Sequence, residues 1–445
     1  MSRPCRLFVS LFALLPAAPL AAQGFNLRDL LTDFLREGII LSDPPPGSPF
    51  PTHSHHFIAE DSPEFLALQD FNNQIANQLS SFPLASSSGG FSYTYDPKLG
   101  VFTRTSDSFG PIYAERADTI GKGRFNLGLN FSHFTFDDIN NLSLRDGDLR
   151  LVFTHEDINH DGTNFQPFFE GDVITAQLFL KIQSDITAFV LTYGVTDRFD
   201  IGAAIPLVSI SIDAQTDATI QRLATAANPA IHTFVGGGSE ATITQSGSAT
   251  GVGDVVLRGK YRFTSSPKLG FALGTDVRLP TGDYRDLLGT GALEVRAYMI
   301  GSAHLGAFSP HLNAGYTWAL HPAASVSVAD EINYTGGFDW ALSPRFTVVV
   351  DAIGRTFRNT QSVQVVDATF FANTNSNPAQ PPTVVSAEFP RLVTTTANLN
   401  TLLGSVGFRV NPVGNLLLTV NGLFSIGKKG LRDDFTPTVA IDYAF

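Results

Sequence analysis

The chain has 445 residues, a formal net charge of −12, 16% charged residues, and 37 phenylalanines beside 39 glycines. So acidic a balance argues against nucleic-acid binding, which rests on a basic surface, and the only cysteine, Cys5, leaves the rest of the chain without disulfides, thiolate metal sites or a cysteine nucleophile. Few charges with many aromatics and glycines point to a β-rich chain.

In the opening "MSRPCRLFVSLFALLPAAPLAAQGF", Arg3 and Arg6 precede an apolar run from Leu7 to Leu15 and a small-residue stretch ending at Ala22, the pattern of a secretory signal peptide over residues 1–22. The run is shorter than the ~20 residues a membrane-spanning helix needs, and no later apolar run reaches that length. If the chain crosses a membrane, it does so as a barrel.

Residues 23–120 read as an N-terminal periplasmic or plug segment with two helices and a hairpin. "FNLRDLLTDFLREGIIL" places Leu27, Leu30, Leu31, Phe34 and Leu35 on one helical face. After a proline-rich break, "SPEFLALQDFNNQIANQLSSFP" opens with Ser62 as N-cap and Pro63 at the first helical position. "FSYTYDPKLGVFTRT" is a hairpin turning at Asp96-Pro97-Lys98. The break also carries His53, His55 and His56, which suit a transition metal but in such a linker are more often solvated.

From residue 121 to the end the hydrophobic period is two. Tight turns at 196–198, 264–268, 304–308, 341–344 and 411–415 alternate with long polar connections at 214–250, 281–290 and 358–395. This alternation marks an all-β chain that forms a transmembrane antiparallel up-and-down barrel. "DVITAQLFLKIQSDITAFVLTYGV" is one strand in a twelve-strand count and two in a fourteen-strand count; it has no glycine or asparagine turn signal, which favours twelve.

Parity sorts the strand residues. In "GVGDVVLRGKYRF", Leu257, Tyr261 and Phe263 share one face, and Asp254, Arg258, Lys260 and Arg262 the other. Along the later strands the same rule puts Asp276, Arg278, Glu294, Arg296, Thr317, Glu331, Asp339, Asp351, Arg355, Arg409 and Asp442 in the lumen, with Leu273 and its like facing lipid. The lumen charges nearly cancel, which suits cross-barrel pairing as much as an ion filter. Phe199, Phe263, Trp340, Phe346, Phe408, Tyr443 and Phe445 cluster near tight turns or the chain end as an interfacial girdle and closing strand.

"DINHDGTNFQPFFE" fits the start of a calcium loop, with Asp157, Asn159 and Asp161 at alternate positions and Gly162 at the turn. Phe168 stands where the twelfth-position glutamate belongs, and Glu170 replaces it only with altered geometry. No cofactor is expected: a plain polar turn is the first reading of this stretch, and calcium the alternative. No serine stands in a nucleophile-elbow pattern beside His133 or His311, so an enzyme is not expected.

The passages "YGVTDRFDIGAAIPLV", "GVGDVVLRGKYRF" and "FALGTDVRLPTGD" followed by "LGTGA" resemble a bacterial outer-membrane barrel family described as MetA-pathway of phenol degradation, and more distantly FadL-type transporters. The resemblance implies a channel or transporter for small hydrophobic or aromatic molecules in a Gram-negative outer membrane, and brings no catalytic residues. The alternative is a structural or adhesive barrel with ligand-binding surface loops. The partners expected are outer-membrane lipids, a small apolar or aromatic solute, and the barrel-assembly machinery, whose recognition signal the terminal Phe445 resembles.

Overall fold

The computed structural model describes residues 26–43, 56–57, 63–79, 83, 85–86, 90–96, 101–104, 106–264, 266, 268–323 and 326–445. The expected signal peptide lies outside them. Twelve antiparallel strands form the wall: β1 (Phe125–Phe136), β2 (Val173–Thr196), β3 (Phe199–Gln221), β4 (Val255–Arg262), β5 (Leu269–Leu279), β6 (Leu293–Ala303), β7 (Phe308–Leu320), β8 (Glu331–Ser343), β9 (Phe346–Asn373), β10 (Val384–Val413), β11 (Leu416–Ser425) and β12 (Thr436–Ala444). Each pairs with its neighbour in sequence, and β12 closes on β1 from Thr438↔Ser132 to Ala444↔Asn126. Closure satisfies every strand edge, which is what allows backbone to sit in lipid. Twelve is therefore the count, and the ambiguous stretch is one strand of 24 residues.

The outward face is the apolar band parity predicts. Leu257, Tyr261, Leu273, Met299, Ile332, Val406, Val420 and Ile441 are all exposed on it. Among the described residues no helix is long and apolar enough to cross a membrane; the strands do that work. The aromatic belt lies at the tight-turn end, where Phe346 stacks on Phe408 at 5.7 Å and Tyr443 meets Phe445 edge-on at 4.8 Å. Phe445 donates its backbone N–H to the Phe125 carbonyl at 2.8 Å, so the chain end is tied into the seam.

Two of the three stretches read as long polar connections are largely strand. β3 continues to Gln221 beside a strand at Glu240–Val252, and the β9–β10 hairpin stays paired from the barrel to Asn373↔Val384, with one register shift between Phe357 and Thr360. These arms rise beyond the lipid band. Their outward side chains meet water, so the apolar alternation that marks a lipid-facing strand is lost, and serine, threonine and asparagine replace it. A further strand, Leu149–Thr154, pairs with β2 in the same region, above β1.

Between these arms lies the main apolar core. Helix α1 (Leu30–Gly38) and helix α2 (Pro63–Leu79) bury Leu31, Phe34, Leu35, Leu68, Phe71, Ile75 and Leu79 against Phe136, Phe153, Ile174, Leu178, Ile210 and Ile212. The helices are fixed to the long connections: Arg28 N–H donates to the Arg285 carbonyl at 2.8 Å, the Asn77 amide to the Ser327 carbonyl at 2.6 Å, and Leu431 N–H to Gln78 Oε1 at 2.6 Å. The two helices form, and Tyr93–Asp96 pairs with Val101–Arg104 as the hairpin reading requires; the expected cap Ser62 and the turn residues Pro97 and Lys98 lie outside the described residues. The apolar faces of the helices find cover among the tall arms at the long-connection end.

Candidate functional site: the lumen and its strap

The chain runs from this cap through the lumen to the tight-turn end, where β1 begins. Residues 106–122 form a strap with no regular structure, and such a segment must find partners for its backbone from the wall. Asp351 of β9 accepts from Ile112 N–H at 3.3 Å and Tyr113 N–H at 3.2 Å. Asn313 of β7 bonds reciprocally to Glu115, accepting its N–H at 2.6 Å and donating to its carbonyl at 2.8 Å. Ser302 takes Ala117 N–H at 3.1 Å, Asp200 takes Ile120 N–H at 3.0 Å, and Arg409 donates to the Phe109 carbonyl at 2.7 Å. At the exit the strap presses against Gly194: a Cβ there would lie 1.9 Å from the Gly121 carbonyl oxygen, so this crossing requires glycine.

The strap's own charges complete the wall's. Glu115 stands 3.3 Å from Lys260 and 3.9 Å from Arg258, while Asp118 meets Arg262 at 2.9 Å and His304 at 2.7 Å. Other lumen charges pair across adjacent strands. Arg278 and Glu294 are opposite in register and 3.1 Å apart; Asp276 and Arg296 are likewise opposite and paired; Arg355 holds Glu331 diagonally. His311 of β7 bridges two carboxylates, Asp351 at 2.6 Å and Asp339 at 3.4 Å.

All the residues assigned to the lumen by parity face inward, but their roles divide. Asp254 is a loop clamp, accepting from Gly282 N–H at 3.0 Å, Thr290 N–H at 2.7 Å and Thr290 Oγ1 at 2.9 Å. Asp442 is packed against Gly128, where a Cβ would come within 2.6 Å of its Oδ1. Asp276, Arg278, Glu294, Arg296, Glu331 and Arg355 surround the space left above the strap, a polar cavity of about 100 Å³ also lined by Tyr113, Glu115 and Thr317. Sequence reasoning missed Glu115, Asp118, Asp200 and Asn313. Of these, Asp200 and Asn313 carried a signal, since each is an inward polar residue in a strand, Asp200 directly opposite Lys260 and 3.9 Å from it.

Outside the lumen, Asp157, Asn159 and Asp161 fall on one exposed turn of the 155–172 loop, as the sequence placed them. His53 and His55 lie outside the described residues; the His56 ring packs 5.3 Å from that of His155.

Residues 170–389 match the family described as Putative MetA-pathway of phenol degradation. No curated relative matches the sequence. Among solved structures, the chain is similar to an outer membrane channel from Pseudomonas putida F1, with 13% identity, 74% of this chain and 98% of that chain covered, and a TM-score of 0.41. The toluene transporter TbuX from Ralstonia pickettii is 13% identical over 73% of this chain and 89% of its own, with a TM-score of 0.25. A Pseudomonas aeruginosa FadL homologue is 11% identical over 82% and 98%, with a TM-score of 0.30.

Proposed function

We propose, from the match of residues 170–389 to the phenol-degradation family and from the barrel and its lumen geometry, that this protein is a gated conduit of a Gram-negative outer membrane. Its cargo is small and apolar or aromatic, and the last strand, ending in Phe445, is what the barrel-assembly machinery reads. The observation that carries the reading is the strap. A twelve-strand barrel has room for more than its own side chains, and here that room is taken by a separate segment held mainly by hydrogen bonds and ion pairs, with small apolar contacts at Phe109 and Ala117. Side chains of the wall cannot leave; a strap can. The names of the toluene transporter and the FadL homologue are in keeping with an apolar cargo, as is the family's link to phenol.

The test is uptake of labelled toluene, phenol and a fatty acid by cells with and without the protein, paired with conductance in planar bilayers. Selective uptake of one class is the expected result. Equal uptake in both cell types, with no conductance, would leave a scaffold.

A further inference from the structure

The loop from His155 to Asp172 joins the Leu149–Thr154 strand to β2 at the long-connection end. In it the Asp157 carboxylate accepts from Asp161 N–H at 3.2 Å and Gly162 N–H at 2.7 Å, while Asn159 Oδ1 accepts from Asp161 N–H at 3.0 Å. Gly162 has φ +76°, the left-handed conformation that the sharp turn of a calcium loop demands. These contacts wrap three oxygen-bearing side chains around one exposed turn. By themselves they describe only a well-made loop.

Glu170 adds the independent observation. It is fully buried beneath the turn, with Oε1 accepting from Ile158 N–H at 2.9 Å and Oε2 without a hydrogen-bond partner among the described residues. Leaving a buried acceptor unsatisfied forfeits the solvation it had in water. A buried carboxylate oxygen with no donor, beneath an oxygen-rich turn, is a position that a cation would satisfy.

We propose that this loop binds one calcium ion through side-chain oxygens of Asp157, Asn159, Asp161 and Glu170. Oxygen-only donors of irregular placement suit calcium, which accepts 6–8 ligands in flexible geometry, better than magnesium, which demands a near-ideal octahedron. Phe168, at the position where calcium loops carry their bidentate glutamate, is buried in an apolar cluster with Phe169, Ala224, Ile231 and Ala372. The carboxylate arrives two residues later. Asp157, Asp161 and Glu170 do not form a closed cage as they stand, so the ion draws Glu170 Oε2 toward the turn. The loop is already tied to the β9–β10 arm by the Asn373 amide on the Phe165 carbonyl at 3.1 Å, and calcium would lock that junction.

Calorimetric titration of the full-length, chelator-treated protein in detergent with calcium chloride tests this, with magnesium chloride as control. One calcium per chain is expected, at a Kd in the roughly 10⁻⁴–10⁻³ M range of extracellular calcium modules. Asp161→Ala and Glu170→Gln should each weaken it about tenfold or more, while heat-modifiable gel migration shows that both variants fold. In a second readout, calcium should slow chymotrypsin cleavage after Phe165 in the parent chain and not in Asp161→Ala. No binding heat at concentrations about tenfold above that range, binding unchanged in both variants, or equal response to magnesium would each overturn the proposal.

Discussion

His311 Nε2 donates to Asp351 Oδ1 at 2.6 Å, while Oδ2 of the same carboxylate receives the backbone N–H groups of Ile112 and Tyr113. One buried side chain thus joins two wall strands to the middle of the strap. Asp351→Ala removes all three contacts and leaves His311 facing Asp339 alone. Breaking a buried pair of this kind costs ~3–5 kcal/mol. Much of that loss should appear as strap release, seen as higher single-channel conductance and faster proteolysis between residues 106 and 122, with the barrel's heat-modifiable migration retained.

Leu273 is half-exposed on the lipid face, whereas Thr317 is buried in the lumen and bonds Asn333 at 2.7 Å. Leu273→Arg should cost roughly 2–4 kcal/mol in unfolding from vesicles, because it puts a charge near mid-depth in hydrocarbon. Thr317→Arg should cost less, since the new guanidinium lies beside Glu331 in a polar cavity. Equal costs would reverse the inside and outside of β5 and β7.

Much of this architecture is legible in the sequence. Parity in β4, β5, β6 and β8 separates Leu257, Leu273, Met299 and Ile332 from Arg258, Asp276, Arg296 and Glu331, because lipid and lumen impose opposite demands on alternate residues. The strap was not legible. "SDSFGPIYAERADTIG" has no period, and the wall groups that hold it mostly bind its backbone, which every sequence possesses. The tall arms were misread for a related reason: above the bilayer, water replaces lipid on their outer face and the contrast between faces vanishes.

Deleting residues 26–79 removes the two helices but leaves the strap. The arms then lose the cover that Phe34, Leu68, Phe71 and Ile75 provide, exposing Phe153, Ile174 and Leu178. Thermal unfolding monitored by protease sensitivity of the β9–β10 arm should begin at a lower temperature than in the parent. Conductance should rise less than in Asp351→Ala, because the narrow part of the lumen stays filled; combining the two changes should give the largest conductance.

Removing Phe445 takes away one interfacial ring and both backbone bonds to Phe125. The fraction of chains reaching the heat-modifiable form in vesicles should fall, while chains that do fold should conduct as the parent does. A fall in conductance among folded chains would place the residue in the permeation route instead of the seam.

The strap lies inside a ring sealed by the pairing of β12 with β1, and its downstream end continues directly into β1. A segment in that position is enclosed when the seam between β12 and β1 shuts. Strap contacts along the β3 to β9 wall that form before closure give the last pairing something to shut around. On that order the plug is a mandrel on which the cylinder is wound, and variants that weaken strap contacts would slow the maturation of new chains before they altered any finished one.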